Sequence, residues 1–196
     1  ASFDLLYNIF WAFGVKTQLA DFSDLDGVQQ KATDLKPRVL LGETISNPLL
    51  KVLDIPAVAE IARSVGAKFI VDSTFATPYL ARPLDQGTDF VVHSATKYLG
   101  GSADAMGGVV VARDAADEPA LTSAMKLAGG VLSVWEAHSI SRGLKTLALR
   151  LDKQCKNAEF LADSLSNNPK VASVIYPKFL TDGVARKVLR SPRGPS

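Results

Sequence analysis

The sequence predicts an α/β fold built on a mostly parallel sheet with helices on both faces. Three observations carry that expectation. Helical and extended segments alternate through residues 1–111, the pattern of βαβ units. The extended runs at 67–71, 89–93 and 109–111 are nearly continuous and apolar, as in strands covered on both faces. Polar residues cluster just beyond three strand ends, where open parallel sheets place their ligands. At 196 residues one continuous core is the default.

The elements follow in order. Ser2 is a candidate N-cap and Gly14 a stop signal, so residues 3–13 are expected as a helix with a buried face. A strand is expected over Val15–Ala20. Ser23 opens a second helix, on which Leu25, Val28, Ala32 and Leu35 keep helical spacing, and Pro37 closes it. Arg38–Gly42 is strand-like. Asp54-Ile55-Pro56 caps a third helix, with Val58, Ile61, Ala62 and Val65 on one face and Gly66 ending it. Strands are then expected at Ala67–Val71, Asp89–His93 and Val109–Val111.

From Asp117 helices dominate, with a long periodic stretch over Trp135–Asn167, one short β-like run at Val171–Ile175 and an irregular tail from Leu189. That helical region reads as a connector leading to something else.

Composition narrows the function. The chain is 47% hydrophobic and 21% charged, with 22 Lys plus Arg against 20 Asp plus Glu. Those charges are scattered, so no basic stripe for nucleic acid is expected. A single cysteine, Cys155, and two histidines exclude an intrachain disulfide and a Cys/His metal framework. The expected setting is cytoplasmic, with no membrane partner, since no apolar run approaches the ~18 residues of a spanning segment. The absence of an initial methionine suggests a fragment.

The three polar strand ends are Glu43-Thr44-Ile45-Ser46-Asn47-Pro48, Asp72-Ser73-Thr74 and Ser94-Ala95-Thr96-Lys97. The 17 residues from Ser73 to Asp89 exceed the ~10–12 that a parallel crossover requires. The second and third ends can therefore be neighbours, and Asp72 and Lys97 can share one crevice. Taken singly, each residue has a plainer explanation: a solvated lysine, a turn-capping aspartate, hydroxyls satisfying local backbone. Their convergence on one sheet edge favours chemistry. A lysine beside hydroxyls, with a carboxylate one strand away, suits a Schiff-base site for a phosphorylated aldehyde. Pyridoxal 5'-phosphate is such an aldehyde. Lys97 would bond its aldehyde carbon, Ser94 and Thr96 its phosphate, and Asp72 would keep its pyridine nitrogen protonated.

Four segments carry a resemblance to a known family. Asp89-Phe90-Val91-Val92-His93-Ser94-Ala95-Thr96-Lys97-Tyr98-Leu99-Gly100-Gly101 resembles the lysine signature of the pyridoxal-phosphate-dependent Cys/Met-metabolism enzymes. Val71-Asp72-Ser73-Thr74-Phe75-Ala76-Thr77-Pro78-Tyr79-Leu80 is similar to their aspartate strand. Glu43–Pro48 and Arg142-Gly143-Leu144-Lys145-Thr146-Leu147 are similar to two further signatures. The resemblance implies the large domain of an aspartate-aminotransferase-like, fold-type-I transferase, with a cofactor-binding core over 1–130, a long connecting helix over 131–170 and the truncated start of the C-terminal small domain over 171–196. It implies Lys97 as Schiff-base lysine, Asp72 as pyridinium partner, Ser94 and Thr96 as phosphate ligands, Asn47 at the ring hydroxyl and Thr74 at the ring face. It further implies an amino-acid substrate and a homotetramer built as a dimer of dimers.

The activity implied is γ-elimination or γ-replacement of the cystathionine γ-lyase or γ-synthase kind. Methionine γ-lyase, O-acylhomoserine sulfhydrylase and cystathionine β-lyase are the alternatives that share this core, and a non-catalytic truncated core is another. Family members are expected to be roughly twice as long. The family's stacking tyrosine would precede Ala1, and its Ser-Gly-Met phosphate loop and substrate-carboxylate arginine have no counterpart here. Ser102 stands where the family has histidine. A dinucleotide site is disfavoured, because Gly100-Gly101 and Gly107-Gly108 do not form the glycine fingerprint. His93 is expected as an interior strand-end residue, His138 as packing or solvated, and Cys155 as a half-buried small hydrophobe.

Overall fold

The structure, a computed structural model, describes residues 2–190. Its centre is a four-stranded sheet of β1 (Val39–Glu43), β2 (Lys68–Asp72), β3 (Phe90–Ser94) and β4 (Gly108–Ala112), in that spatial order. β1, β2 and β3 run parallel and β4 closes the edge antiparallel. β2 and β3 pair directly, as the crossover length allows.

Register divides the sheet into two faces. Phe69, Val71, Val91 and His93 share one face and are buried. Helix α2 (Ile55–Ser64) covers that face, packing Ile55, Val58, Ala59 and Ala62 against Phe69 and Val71. Asp54 caps α2 as the sequence indicates, its carboxylate accepting from the Ala57 amide at 3.2 Å. Helix α1 (Leu25–Leu35) lies beyond, with Val28 and Ala32 against Ile61. Its cap is Asp24, which accepts from the Gly27 amide, and not Ser23, whose hydroxyl donates to Asp21.

The opposite face carries Leu41, Ile70, Val92 and Val110 with Asp72 and Ser94 at its carboxyl end. Leu41 and Val110 are exposed, so among the described residues this face is covered only in part. A second core, of Ala95, Leu99, Ala105, Ile140, Leu147 and Leu151, lies beneath the turn that follows β3.

Four further expectations are corrected. Residues 3–13 are helical but change winding, from Ser2–Asp4 (α) to Leu5–Ile9 (π) to Phe10–Phe13 (3-10), and bury no residue. Only Leu6 and Tyr7 are partly covered, the Tyr7 hydroxyl donates to the Thr17 carbonyl at 3.4 Å, and the Phe3 and Tyr7 rings stack on each other. Val15–Ala20 and Val171–Ile175 are not strands. Neither finds a ladder partner among the described residues, and extended backbone without a partner is not a sheet strand.

The stretch expected as one long helix is three helical or turn pieces centred on two helices, α4 (Val134–Leu144) and α5 (Leu147–Ser166). The break comes where the Gly143 carbonyl is diverted to the Thr146 hydroxyl and the Arg150 guanidinium. α3 (Glu118–Ala128) precedes them, and α6 (Val184–Val188) returns to bury Val188 in the first core. The tail from residue 191 onward and Ala1 lie outside the described residues.

Candidate active site

The parallel strands direct their carboxyl ends to one side, and the polar ends identified in the sequence meet there. Asp72 ends β2. Its Oδ1 accepts from the Thr74 amide at 2.9 Å, which leaves Oδ2 without a partner among the described residues. The Thr74 hydroxyl oxygen accepts from the Ser94 amide at 2.7 Å, so it ties the ends of β2 and β3 together. The Ser94 hydroxyl makes no hydrogen bond to the described residues.

Lys97 follows in a five-residue π-turn, Ala95–Leu99, whose backbone leaves helical values at Lys97 (φ −90°, ψ −119°). Ala95 and Leu99 are buried on either side of it, so the turn is pinned at both ends while Lys97 itself stays exposed. The Thr96 hydroxyl accepts from the Gly107 amide at 3.0 Å and donates weakly to the Gly107 carbonyl at 3.4 Å. Its proton is therefore the easier of the two to redirect to a ligand. Asn47, beyond β1, is exposed, and its amide donates to Glu43 Oε2 at 3.4 Å.

Asn47, Thr74, Thr96 and Lys97 line one open cavity of about 900 Å³. Asp72 and Ser94 stand at the carboxyl end of the sheet face beside that cavity and are not part of its lining. Sequence reasoning did not single out Glu136, Arg150 or Gln154, which also line it. They come from α4 and α5, and only the fold brings those helices to the sheet edge. Asp104 lies on the same wall, paired with Arg142 at 3.0 Å. His93 is buried on the opposite face of the sheet, where its Nδ1 lies 3.0 Å from the Ser73 carbonyl. Burial pushes its pKa below the ordinary 6.5, against the pull of that carbonyl and the Asp72 carboxylate. His138 is exposed. Burial, then Asp152 and Glu159, push the Cys155 thiol up, which suits a packing residue better than a nucleophile.

Among the described residues no group of His, Cys, Asp and Glu is placed to hold a metal, and no helix is long and apolar enough to cross a membrane. The donor set suits a phosphorylated aldehyde with a basic ring. It offers one primary amine, two hydroxyls and a carboxylate oxygen with no other partner.

The family model described as Cys/Met metabolism PLP-dependent enzyme matches residues 1–191. The chain belongs to this family. Its cofactor is accordingly pyridoxal 5'-phosphate, and the residues at the sheet edge have the chemistry to receive it. Relatives include an L-methionine gamma-lyase of Pseudomonas putida, 41% identical over 98% of this chain and 49% of that protein. A cystathionine gamma-synthase of Mycobacterium leprae is 39% identical over 90% of this chain and 45% of that protein. The crystal structure of cystathionine gamma-lyase from Lactobacillus plantarum, complexed with L-serine, superposes with a TM-score of 0.92. It is 34% identical and covers 96% of this chain and 50% of that one. The chain spans about half the length of the curated relatives it matches. This likeness bears out the fold-type-I reading of a mixed, mostly parallel sheet.

Proposed function

We propose that the whole protein catalyses γ-elimination or γ-replacement on a sulfur-containing amino acid or an activated homoserine. The single observation that carries this reading is Lys97, held exposed on a pinned turn in the cavity at the carboxyl ends of parallel strands. Relatives named as γ-lyases and γ-synthases support the reaction class. Pyridoxal phosphate, when bound, supplies the electron sink that stabilises the carbanion formed at the substrate Cα.

The chain's own residues would do the rest. Lys97 Nζ would bond the cofactor's aldehyde carbon until a substrate amine displaces it. Lys97 Nζ would then take the Cα proton as a general base and hand it on to the cofactor, which leaves the amine free again. The freed Lys97 Nζ would then accept a Cβ proton, and the γ-substituent would leave with its bonding electron pair. Asp72 would keep a proton on the ring nitrogen, since an adjacent carboxylate raises the pKa of a cationic acid by about 1–3 units. Ser94 and Thr96 would donate to the phosphate, Asn47 would contact the ring hydroxyl, and Thr74 would lie against the ring face.

The reading extends to a division of the chain at residues 130 and 170, a homotetramer built as a dimer of dimers, and a cytoplasmic setting consistent with its lone cysteine. The test has two arms on the full-length protein with pyridoxal phosphate: borohydride reduction followed by peptide mapping on one portion, and on an unreduced portion an assay of both 2-oxo-acid release and formation of new thioether amino acids from sulfur amino acids and activated homoserines. A reduced adduct on Lys97 with turnover is expected. An adduct without turnover of any of these substrates would favour a non-catalytic core, and no adduct on Lys97 would overturn the reading.

A further inference from the structure

The segment Arg142–Leu147 contributes no group to the chemistry proposed above, yet it fits against the lysine turn with little clearance. A Cβ added to Gly143 would meet the Gly100 carbonyl oxygen at 2.0 Å. Helix α4 therefore touches the turn backbone to backbone. Within the turn, the Ala95 carbonyl accepts from the Gly100 amide and the Lys97 carbonyl from the Gly101 amide, each at 2.8 Å. The Tyr98 carbonyl, lying between these partners, is held from outside.

Its donor is Arg150 Nη1, at 2.9 Å. Arg150 Nη2 donates to the Gly143 carbonyl at 2.9 Å, and Nε to the Thr146 hydroxyl at 3.0 Å. Gly101, at φ +79°, lies against the same guanidinium, and a Cβ there would come within 2.4 Å of Nη1. Arg150 forms no ion pair among the described residues, so its three bonds join the turn after Lys97, the end of α4 and the start of α5. A planar fork can bridge two carbonyls at once; an ammonium cannot hold the same geometry.

We infer that Arg150 is a positioning residue, whose guanidinium fixes the Tyr98 peptide and thereby the direction from which Lys97 enters the cavity. The inference rests on the reading of Lys97 as the cofactor-bonding lysine. Alignment of a reacting amine sets how readily it bonds and how its proton titrates, so a loosened turn acts on both.

The test uses full-length protein loaded with pyridoxal phosphate, and compares wild type with Arg150→Met, Arg150→Lys and Thr146→Val. Readouts are cofactor affinity from the visible absorption of the lysine-bound cofactor, the pH midpoint of that absorption, and the KM and kcat of turnover. Circular dichroism and melting temperature report folding separately. Arg150→Met is expected to keep native helix content while weakening cofactor affinity about tenfold, a loss of the size of one charge-assisted hydrogen bond. It is also expected to move the pH midpoint and to lower kcat more than it raises KM. Arg150→Lys should follow Arg150→Met, and Thr146→Val should move each readout in the same direction by a smaller amount. If Arg150→Met does not fold, Arg150→Lys and Thr146→Val carry the comparison. Wild-type affinity and midpoint in the variants that fold, or full rescue by Arg150→Lys, would overturn the inference. Absence of lysine-bound absorption in wild type itself would instead overturn the assignment of Lys97, and this inference with it.

Discussion

Replacing Lys97 with alanine removes the one amine that the π-turn presents to the cavity, and nothing in the turn's backbone bonding depends on that side chain. Lys97→Ala is therefore expected to fold with an unchanged melting temperature in the absence of cofactor, read by thermal denaturation, and to yield no borohydride-reducible adduct, read by mass spectrometry of the reduced protein. Asp72→Asn keeps an oxygen to accept from the Thr74 amide but removes the charge. It is expected to retain the adduct and lose roughly tenfold to a thousandfold in turnover, the span of a pKa shift of about 1–3 units. Turnover equal to wild type would remove Asp72 from the role proposed for it. His93 offers a measurement independent of the cofactor. Burial holds its pKa below 6.5 in the folded chain, so the unfolded chain binds more protons as pH falls through 6.5. The contribution of the neutral imidazole is complete above that value and declines below it. The melting temperature should fall from pH 7 to pH 5, and less steeply in His93→Gln. A parallel decline in both proteins would assign the acid sensitivity elsewhere.

At the scale of elements, the contact between α4 and the lysine turn leaves no room for a side chain at Gly143. Gly143→Ala would put a methyl group where the Gly100 carbonyl stands, and overpacking of this kind costs about 1–3 kcal/mol. A lower melting temperature together with weaker cofactor binding is expected, and a variant indistinguishable from wild type by calorimetry would show that the joint relaxes freely. The sequence announced half of this contact. The cap at Asp54, the β2–β3 pairing and the polar strand ends are local or follow from chain length, so they were readable from residue pattern alone. The break between α4 and α5 was not, because it depends on a carbonyl captured by Arg150 from the next helix. Arg150, Glu136 and Gln154 escaped notice for the same reason: they sit inside periodic helical stretches, and only tertiary packing turns that surface toward the cavity. The segments 15–20 and 171–175 have the composition of strands, but composition does not supply a neighbouring edge to pair with.

Across the whole molecule, apolar side chains are divided unevenly between core and surface. Phe69, Val71, Ile55 and Val58 are fully buried on one face of the sheet, whereas Val110 on the other is 52% exposed. Around the α3–α4 connection Leu127, Val134 and Trp135 are 87%, 82% and 81% exposed, and near the N-terminus Phe13 is 80% exposed. Contiguous apolar patches above a few hundred Å² are rare on stable monomers, and a net charge of +2 gives weak repulsion to keep copies apart. The 196-residue chain by itself is therefore expected to self-associate. Static light scattering over a dilution series should give an average mass above 20.9 kDa that rises with concentration. Val134→Lys combined with Trp135→Lys, which removes two exposed side chains at the start of α4 without touching either core, should bring that mass down. A constant 20.9 kDa across the series would mean that these side chains are tolerated in water, and that the uneven division of apolar surface does not drive association.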